Sequence, residues 1–334
     1  MIPAPIDHAP APTFSIVIPV YNEEESLDEL MASIEAAVAP LTDTYEIVFV
    51  DDGSTDRSFE KLTSLAASND RVRVFSFRRN LGKSPTLVCG FQRARGQYIL
   101  TMDADLQDDP CNLRQMYDQL IAERADIVNG WRKERRDNVL KVASSRIFNR
   151  FMIRLLFGSS FKDMNSGLKL YKAEVAREMH LYGGMHRFIP LLATEMGYRV
   201  IECPVRHGER KYGASKYSQV KILTEMPDLL TVFFLIKYTT RPLHFFARVG
   251  SALIAVGLLC LAYLTILWTQ SIPIGRRPLL SFGVLLVVIG GQTVFAGLLA
   301  DLIVNVSLSR GQEFPLKYAS DSITASRPAQ GGQL

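Results

Sequence analysis

The chain has 334 residues, 48% of them hydrophobic, and a formal net charge of +4. That length suits one large domain or two smaller ones with a sizeable core, and so slight a basic excess gives no argument for nucleic acid. Cys89, Cys111, Cys203 and Cys260 stand far apart with no C-x-x-C pair, which argues for reduced thiols in a reducing compartment and against a zinc site.

Residues 1–13, MIPAPIDHAPAPT, are rich in Pro and Ala and lack a basic start followed by an apolar run. They read as a disordered lead-in rather than a signal peptide. Strands and helices then alternate. FSIVIPV (14–20) reads as a strand and 26–38 as a helix capped by Ser26. Strands follow at 45–50, 72–77, 97–102 and 125–130, with helices over 57–68, 83–95 and 112–123. The strands are continuous apolar runs, the mark of a parallel sheet covered by helices on both faces. Ligands on such sheets bind at the carboxyl ends of the strands. PVYNEE, DDGSTD and DADLQ each follow a strand end, so three polar motifs are expected on one edge.

After residue 130 the pattern loosens. The stretch 137–158 reads as a basic amphipathic helix, 184–197 as a helix and 198–205 as a strand. Residues 219–247 mix apolar runs with Lys221, Lys237, Arg241 and His244 and are expected to lie along a membrane surface. Val249–Gly275 and Pro278–Ala300 carry no charged residue. Each is long enough to cross about 30 Å of hydrocarbon, and the short Pro-containing link predicts a two-helix transmembrane hairpin over roughly 248–269 and 279–301. The basic flanks favour both ends, including the tail 306–334, in the cytoplasm. Two buried helices of a soluble protein are the alternative.

Like charges as close as Asp103, Asp105 and Asp109 in TMDADLQDDP call for a positive partner. Asp103, Asp105 and the Gln107 amide oxygen are hard oxygen donors suited to Mg²⁺ or Mn²⁺. Asp108 or Asp109, before Pro110, fits a helix cap instead. In VDDGSTD a turn with Asp56 as cap accounts for Gly53, Ser54 and Asp56, but not for Asp51, whose carboxylate could accept from a base N–H. In IPVYNEE, Pro19 gives a rigid turn and Tyr21 could lie on a base or ribose.

I-P-V-Y-N-E, V-D-D-G-S-T-D, R-R-N-L-G-K and D-A-D-L-Q-D-D-P, in this order and ending in a two-helix hairpin, resemble glycosyltransferase family 2. The chain is similar to its polyprenyl-phosphate glycosyltransferases, the group of dolichyl-phosphate mannose synthase and bacterial undecaprenyl-phosphate glycosyltransferases. The resemblance spans residues 14 to 305. It implies an α/β, GT-A type Rossmann-like, mostly parallel sheet over 14–218. It implies nucleotide binding by Pro19, Tyr21, Glu23, Asp51, Lys83 and Asp103, and Mg²⁺ or Mn²⁺ at Asp103, Asp105 and Gln107. Arg132, Lys141, Ser145, Arg146 and Ser215 match positions that hold the lipid phosphate. Asp163, in D-x-x-S-G, matches a residue near the acceptor. Arg210 and Lys216, in RKYGASKY, match a loop that closes over the diphosphate; with Arg132 and Asp163 they form the expected catalytic set. Lys141 stands where some relatives have Arg, so a point charge replaces a bidentate fork.

The implied reaction is one inverting transfer of a sugar from a UDP- or GDP-sugar to undecaprenyl or dolichyl phosphate at the cytoplasmic face of the inner membrane. A phosphate monoester with a second pKa of about 6 is already ionised near neutrality. The task is positioning and charge stabilisation rather than strong base catalysis. Relatives with such a hairpin form tetramers, so a homo-oligomer is expected by analogy. An inactive membrane-tethered scaffold is the alternative from another class. A processive polysaccharide synthase fits less well, because Q-x-x-R-W is missing. A nicotinamide enzyme is excluded, because no G-x-G-x-x-G follows a strand. The five histidines have no metal spacing; His186 reads as packing, with Arg187 open between packing and the sugar pocket.

Overall fold

The computed structural model describes residues 12–133, 161–208, 211, 231, 233, 234, 237, 238, 241–275 and 277–308, without the side chains of 305–308. The expected lead-in 1–13 (beyond residues 12 and 13), the helix 137–158 and most of the surface stretch 219–247 lie outside the described residues, as do residues 309–334 of the tail.

Among the described residues seven strands form one sheet: β1 (Phe14–Val20), β2 (Tyr45–Asp51), β3 (Val72–Ser76), β4 (Tyr98–Thr101), β5 (Ile127–Arg132), β6 (Lys169–Lys172) and β7 (Val200–Val205). Their order is β3-β2-β1-β4-β6-β5-β7. Only β6 runs against its neighbours β4 and β5; the other pairings are parallel. The carboxyl ends of β1, β2, β4, β5 and β7 therefore share one edge with the start of β6.

Helices cover both faces, as the unbroken apolar strands require. Leu27, Leu30, Met31, Ile34 and Val38 repeat at helical spacing along α1 (Leu27–Val38) and are buried on one face. With α2 (Ser58–Ser68) and α4 (Asn112–Ala122) they pack on Ile16, Ile18, Ile47, Phe49 and Leu170. The opposite layer sets Leu87 and Phe91 of α3 (Lys83–Arg93) on Val17, Val48 and Tyr171, joined by α5 (Ala173–Glu178), a 3-10 turn (Met185–Phe188) and α6 (Ile189–Glu195).

Several local expectations need correction. Ser26 gives no side-chain cap to α1; its hydroxyl donates to Glu23 O at 3.0 Å. The single helix expected over 184–197 is a 3-10 turn followed by α6, with Pro190 in the first turn of α6. The strand expected from 198 begins at Val200, and that from 125 at Ile127. Strand β6 and helix α5 were not anticipated: KLYK is too short to show a period.

The C-terminal unit holds α7 (Pro242–Thr269) and α8 (Pro278–Leu308). At 1.5 Å per residue they run about 42 and 46 Å, more than a hydrocarbon core. Helix α7 starts at Pro242, so residues 242–247 are continuous with the apolar helix. The helices pack along glycines seven residues apart. A Cβ on Gly250 would lie 2.6 Å from Gly290 O, and one on Gly257 would lie 2.8 Å from Gly283 O. Small residues let two backbones approach in this way. Leu259, Trp268, Phe295 and Ile303 are more than half exposed. A soluble core helix would bury them; a lipid-facing hairpin need not.

Candidate active site

The ends of β1 and β2 are knitted into one platform. Asn22, in the left-handed region at φ 54°, donates its N–H to Ser54 Oγ (3.0 Å) and accepts from Thr55 N–H (2.8 Å). Glu23 N–H reaches Ser58 Oγ at 2.9 Å. Asp56 accepts from Ser58 N–H at 2.9 Å, but Arg57 rather than Asp56 stands at the N-cap of α2. Asp51 is buried and accepts from Ser54 N–H (3.1 Å) and Ser76 Oγ–H (2.6 Å).

Asp52 has a role the sequence reading missed. Its carboxylate accepts from Leu81 and Gly82 N–H at 2.7 and 2.9 Å, tying the R-R-N-L-G loop to the end of β2. Burial pushes its carboxyl up, against those two N–H groups. Gly53 makes the approach feasible: at φ 69°, a Cβ there would lie 2.6 Å from the Arg79 carbonyl carbon. The loop then delivers Lys83, at the start of α3, onto Asp103 as an ion pair.

The acidic loop follows β4. Ala104 is buried, Leu106 sits at φ 60° against the core, and Gln107 N–H donates to Asp105 Oδ1 at 3.2 Å. A left-handed Leu costs about 1–3 kcal/mol, so the loop is held by its surroundings. Burial works to raise the Asp103 carboxyl, but Lys83, with Lys169 and His186, outweighs it and holds it below the usual carboxylate range. Asp103 is thus an anion already holding a cation. The cap expected of Asp108 or Asp109 does not form: Cys111 stands at the N-cap of α4 with no side-chain bond, and Asp109 accepts from Cys111 N–H at 2.9 Å in the turn before it. Asp108 serves the acidic loop instead. It is buried, accepts from Asp103 N–H at 3.2 Å and lies 3.3 Å from His207 Nδ1.

Among the described residues no three His, Cys, Asp or Glu side chains form a ready cation cage. The donor set is two carboxylates and the Gln107 amide oxygen, whose Nε2 reaches toward Gly208 O at 3.4 Å. Hard oxygens of this kind suit Mg²⁺ or Mn²⁺, with the Lys83 ammonium as the present partner of Asp103.

At the end of β5, Arg132 meets Asp163 through two parallel bonds, Nε–Oδ2 at 2.7 Å and Nη2–Oδ1 at 2.9 Å. Both side chains are at most a tenth exposed. Burial works to lower the Arg132 guanidinium, but its bonds to Asp163 outweigh this and hold it above its usual value. Glu202 of β7 anchors the segment by accepting from Lys162 N–H (2.8 Å) and Asp163 N–H (3.0 Å). Asp163 is therefore a paired anion, ill suited to act as a base. Lys141, Ser145, Arg146, Arg210, Ser215 and Lys216 lie outside the described residues.

A small chamber lies behind Asp103, bounded by Pro19, Lys83, Lys169, Tyr171 and His186 among others. His186 both packs and lines it. Its Nδ1 is 3.0 Å from Ser84 Oγ, which gives its own hydrogen to Gly183 O, so Nδ1 is the donor. Burial, then Lys83, Arg187 and Lys169, pull the imidazole down to about 3. Lys169, also missed, is buried on β6 and pulled down to about 7 by burial and Lys83. A lysine inside the apolar run L-K-L-Y was the signal available.

Residues 15–179 match the family described as glycosyl transferase family 2. Over 294 residues the chain is 35% identical to dodecaprenyl-phosphate galacturonate synthase of Rhizobium johnstonii, covering 86% of this chain and 87% of that protein. It is 36% identical over 297 residues to undecaprenyl-phosphate 4-deoxy-4-formamido-L-arabinose transferase of Yersinia pestis, covering 88% and 89%. The fold is shared with glucosyl-3-phosphoglycerate synthase of Mycobacterium tuberculosis, solved with Mn²⁺, uridine diphosphate and phosphoglyceric acid. There the TM-score is 0.51 at 19% identity, over 67% of this chain and 78% of that one. The sheet, its edge motifs and this extended similarity agree: the chain belongs to glycosyltransferase family 2.

Proposed function

We propose that the protein is a membrane-bound glycosyltransferase that moves one sugar from a nucleotide sugar to a polyprenyl phosphate. The observation that carries this reading is the meeting, on one sheet edge, of the Lys83–Asp103 loop system and the buried Arg132–Asp163 pair. Two relatives aligned over most of their length carry a polyprenyl phosphate and a sugar in their names, and two apolar helices follow in this chain.

On the donor side, Pro19, Tyr21, Glu23 and Asp51 hold the nucleoside, and Lys83 with Asp103, Asp105 and Gln107 face the diphosphate. Asp103, Asp105 and Gln107 would hold a divalent cation, and such a cation would supply positive charge to the diphosphate leaving group. Lys83, at the start of α3 beside Asp103, adds a second positive charge next to the diphosphate. On the acceptor side, Arg132, Lys141, Ser145, Arg146 and Ser215 hold the lipid phosphate, and Arg210 and Lys216 close over the diphosphate. The acceptor oxygen is ionised near neutrality, so Asp163 has no proton to take; it fixes the Arg132 fork. The hairpin anchors the chain in the inner membrane, with the catalytic domain in the cytoplasm.

The test uses detergent-purified protein, undecaprenyl phosphate and labelled nucleotide sugars, with Mg²⁺ or with EDTA. Metal-dependent label in the lipid phase from one donor supports the reading. Bound nucleotide with no transfer from any donor returns the protein to the scaffold alternative.

A further inference from the structure

The N-S-G segment, residues 165–167, is held by side chains from three strands. Asn165 O accepts from Arg132 Nη2 at 3.1 Å, Ser166 O from Lys169 Nζ, and Gly167 O from Thr101 Oγ1 at 2.9 Å. Three consecutive carbonyls are thus taken by residues of β5, β6 and β4. The far end of the segment is a wall of the acidic loop. A Cβ on Gly167 would lie 2.8 Å from the Asp103 Cγ and Oδ2 and from Asp108 Oδ2. The near end carries Asp163 and its partner Arg132.

Lys169 is the unusual member of this clamp. It is buried, and its ammonium goes to a neutral carbonyl. Burying an ammonium costs several kcal/mol, and a side chain of like volume without charge would fill the site at lower cost. Beneath it the fully buried Tyr171 hydroxyl has no well-formed hydrogen bond; the neighbouring Thr101 hydroxyl gives its hydrogen to Gly167 O. Packing alone does not account for a lysine here.

We propose that Lys169 is a positioning residue for sugar transfer, fixing residues 165–167 so that the Asp103 carboxylate and the Arg132–Asp163 pair keep one separation. It acts through the Ser166 backbone and does not touch the substrate. The inference rests on the reading of Asp103 as donor-side and Arg132–Asp163 as acceptor-side.

The test compares full-length Lys169→Met, Lys169→Arg and Gly167→Ala with wild type in detergent. A small misplacement of reacting groups costs up to about 100-fold in rate. Lys169→Met is expected to lose about 10–100-fold in kcat, with donor and acceptor KM within about 3-fold and thermal stability unchanged or raised. Lys169→Arg recovers part of the loss. Gly167→Ala, pressing the same wall from Asp103's side, lowers kcat by a similar factor and, because it pushes on a donor-side carboxylate, raises donor KM as well. The Lys169→Met, Gly167→Ala double variant is no slower than the slower single, since both act through one segment. Wild-type kcat in Lys169→Met, a strictly multiplicative double variant, or lost activity with matching loss of stability or of folding overturns the proposal. Wild-type protein that transfers no sugar to lipid overturns both this and the proposed function; a Lys169→Met result like wild type, with active wild type, overturns this inference alone.

Discussion

The Arg132–Asp163 pair offers a perturbation whose size follows from its geometry. Two bonds of 2.7 and 2.9 Å join side chains that are 8% and 10% exposed. Removing one partner leaves the other charge buried, which costs about 3–5 kcal/mol. For a domain of this size that lowers Tm by roughly 10 °C. Asp163→Leu and Arg132→Met should each show such a loss in thermal unfolding of the detergent-solubilised chain. The double variant Arg132→Met, Asp163→Leu leaves no unpaired charge, so it should regain most of the stability, because a buried ion pair is often replaceable by apolar groups of similar volume. Transfer to lipid should fall at least about 100-fold in all three, since the cation aimed at the lipid phosphate is gone or misdirected. Single variants losing less than about 1 kcal/mol would mean a solvated pair of little worth. A double variant with wild-type transfer would remove the pair from the mechanism.

The His186 imidazole, pulled down to about 3 by burial and nearby cations, is neutral when folded. As pH falls below its unfolded value of 6.5, the unfolded chain takes up a proton that the folded chain refuses. Stability therefore falls by up to about 1.4 kcal/mol per pH unit from 6.5 towards 3. His186→Gln should flatten that limb in unfolding measured between pH 7 and 4; an unchanged slope would refute the assignment. Gly53→Ala places a Cβ 2.6 Å from the Arg79 carbonyl carbon at φ 69°. It should cost about 1–3 kcal/mol and raise the donor KM, read by thermal unfolding and initial rates. Asp105→Ala should abolish transfer while the chain still enters the membrane fraction, and full activity would sink the metal assignment.

Much of the fold was legible because parallel strands buried on both faces must be continuous apolar runs. FSIVIPV and YEIVFV show this plainly, and their polar continuations then had to share an edge. Strand β6 was not legible: four residues carry no period, and its antiparallel pairing with β4 depends on contacts about 70 residues apart in sequence. The site was legible where a motif departs from packing logic, as in the D-A-D-L-Q loop. It was obscure where a polar group serves another loop. Asp52 had no role of its own in the sequence, yet it holds Leu81 and Gly82; Asp108 was one of two candidate helix caps, yet it faces His207. Lys169 hid inside an apolar strand, where charge rather than hydrophobicity was the informative signal.

The most direct test of the central claim is the mass of the lipid product. Wild-type protein is incubated with undecaprenyl phosphate, a divalent metal and each nucleotide sugar in turn, and the lipid fraction is read by mass spectrometry. The account predicts undecaprenyl phosphate enlarged by one sugar residue, and only one, from a single preferred donor. A ladder of longer glycans, or consumption of the nucleotide sugar with no enlarged lipid, would contradict it.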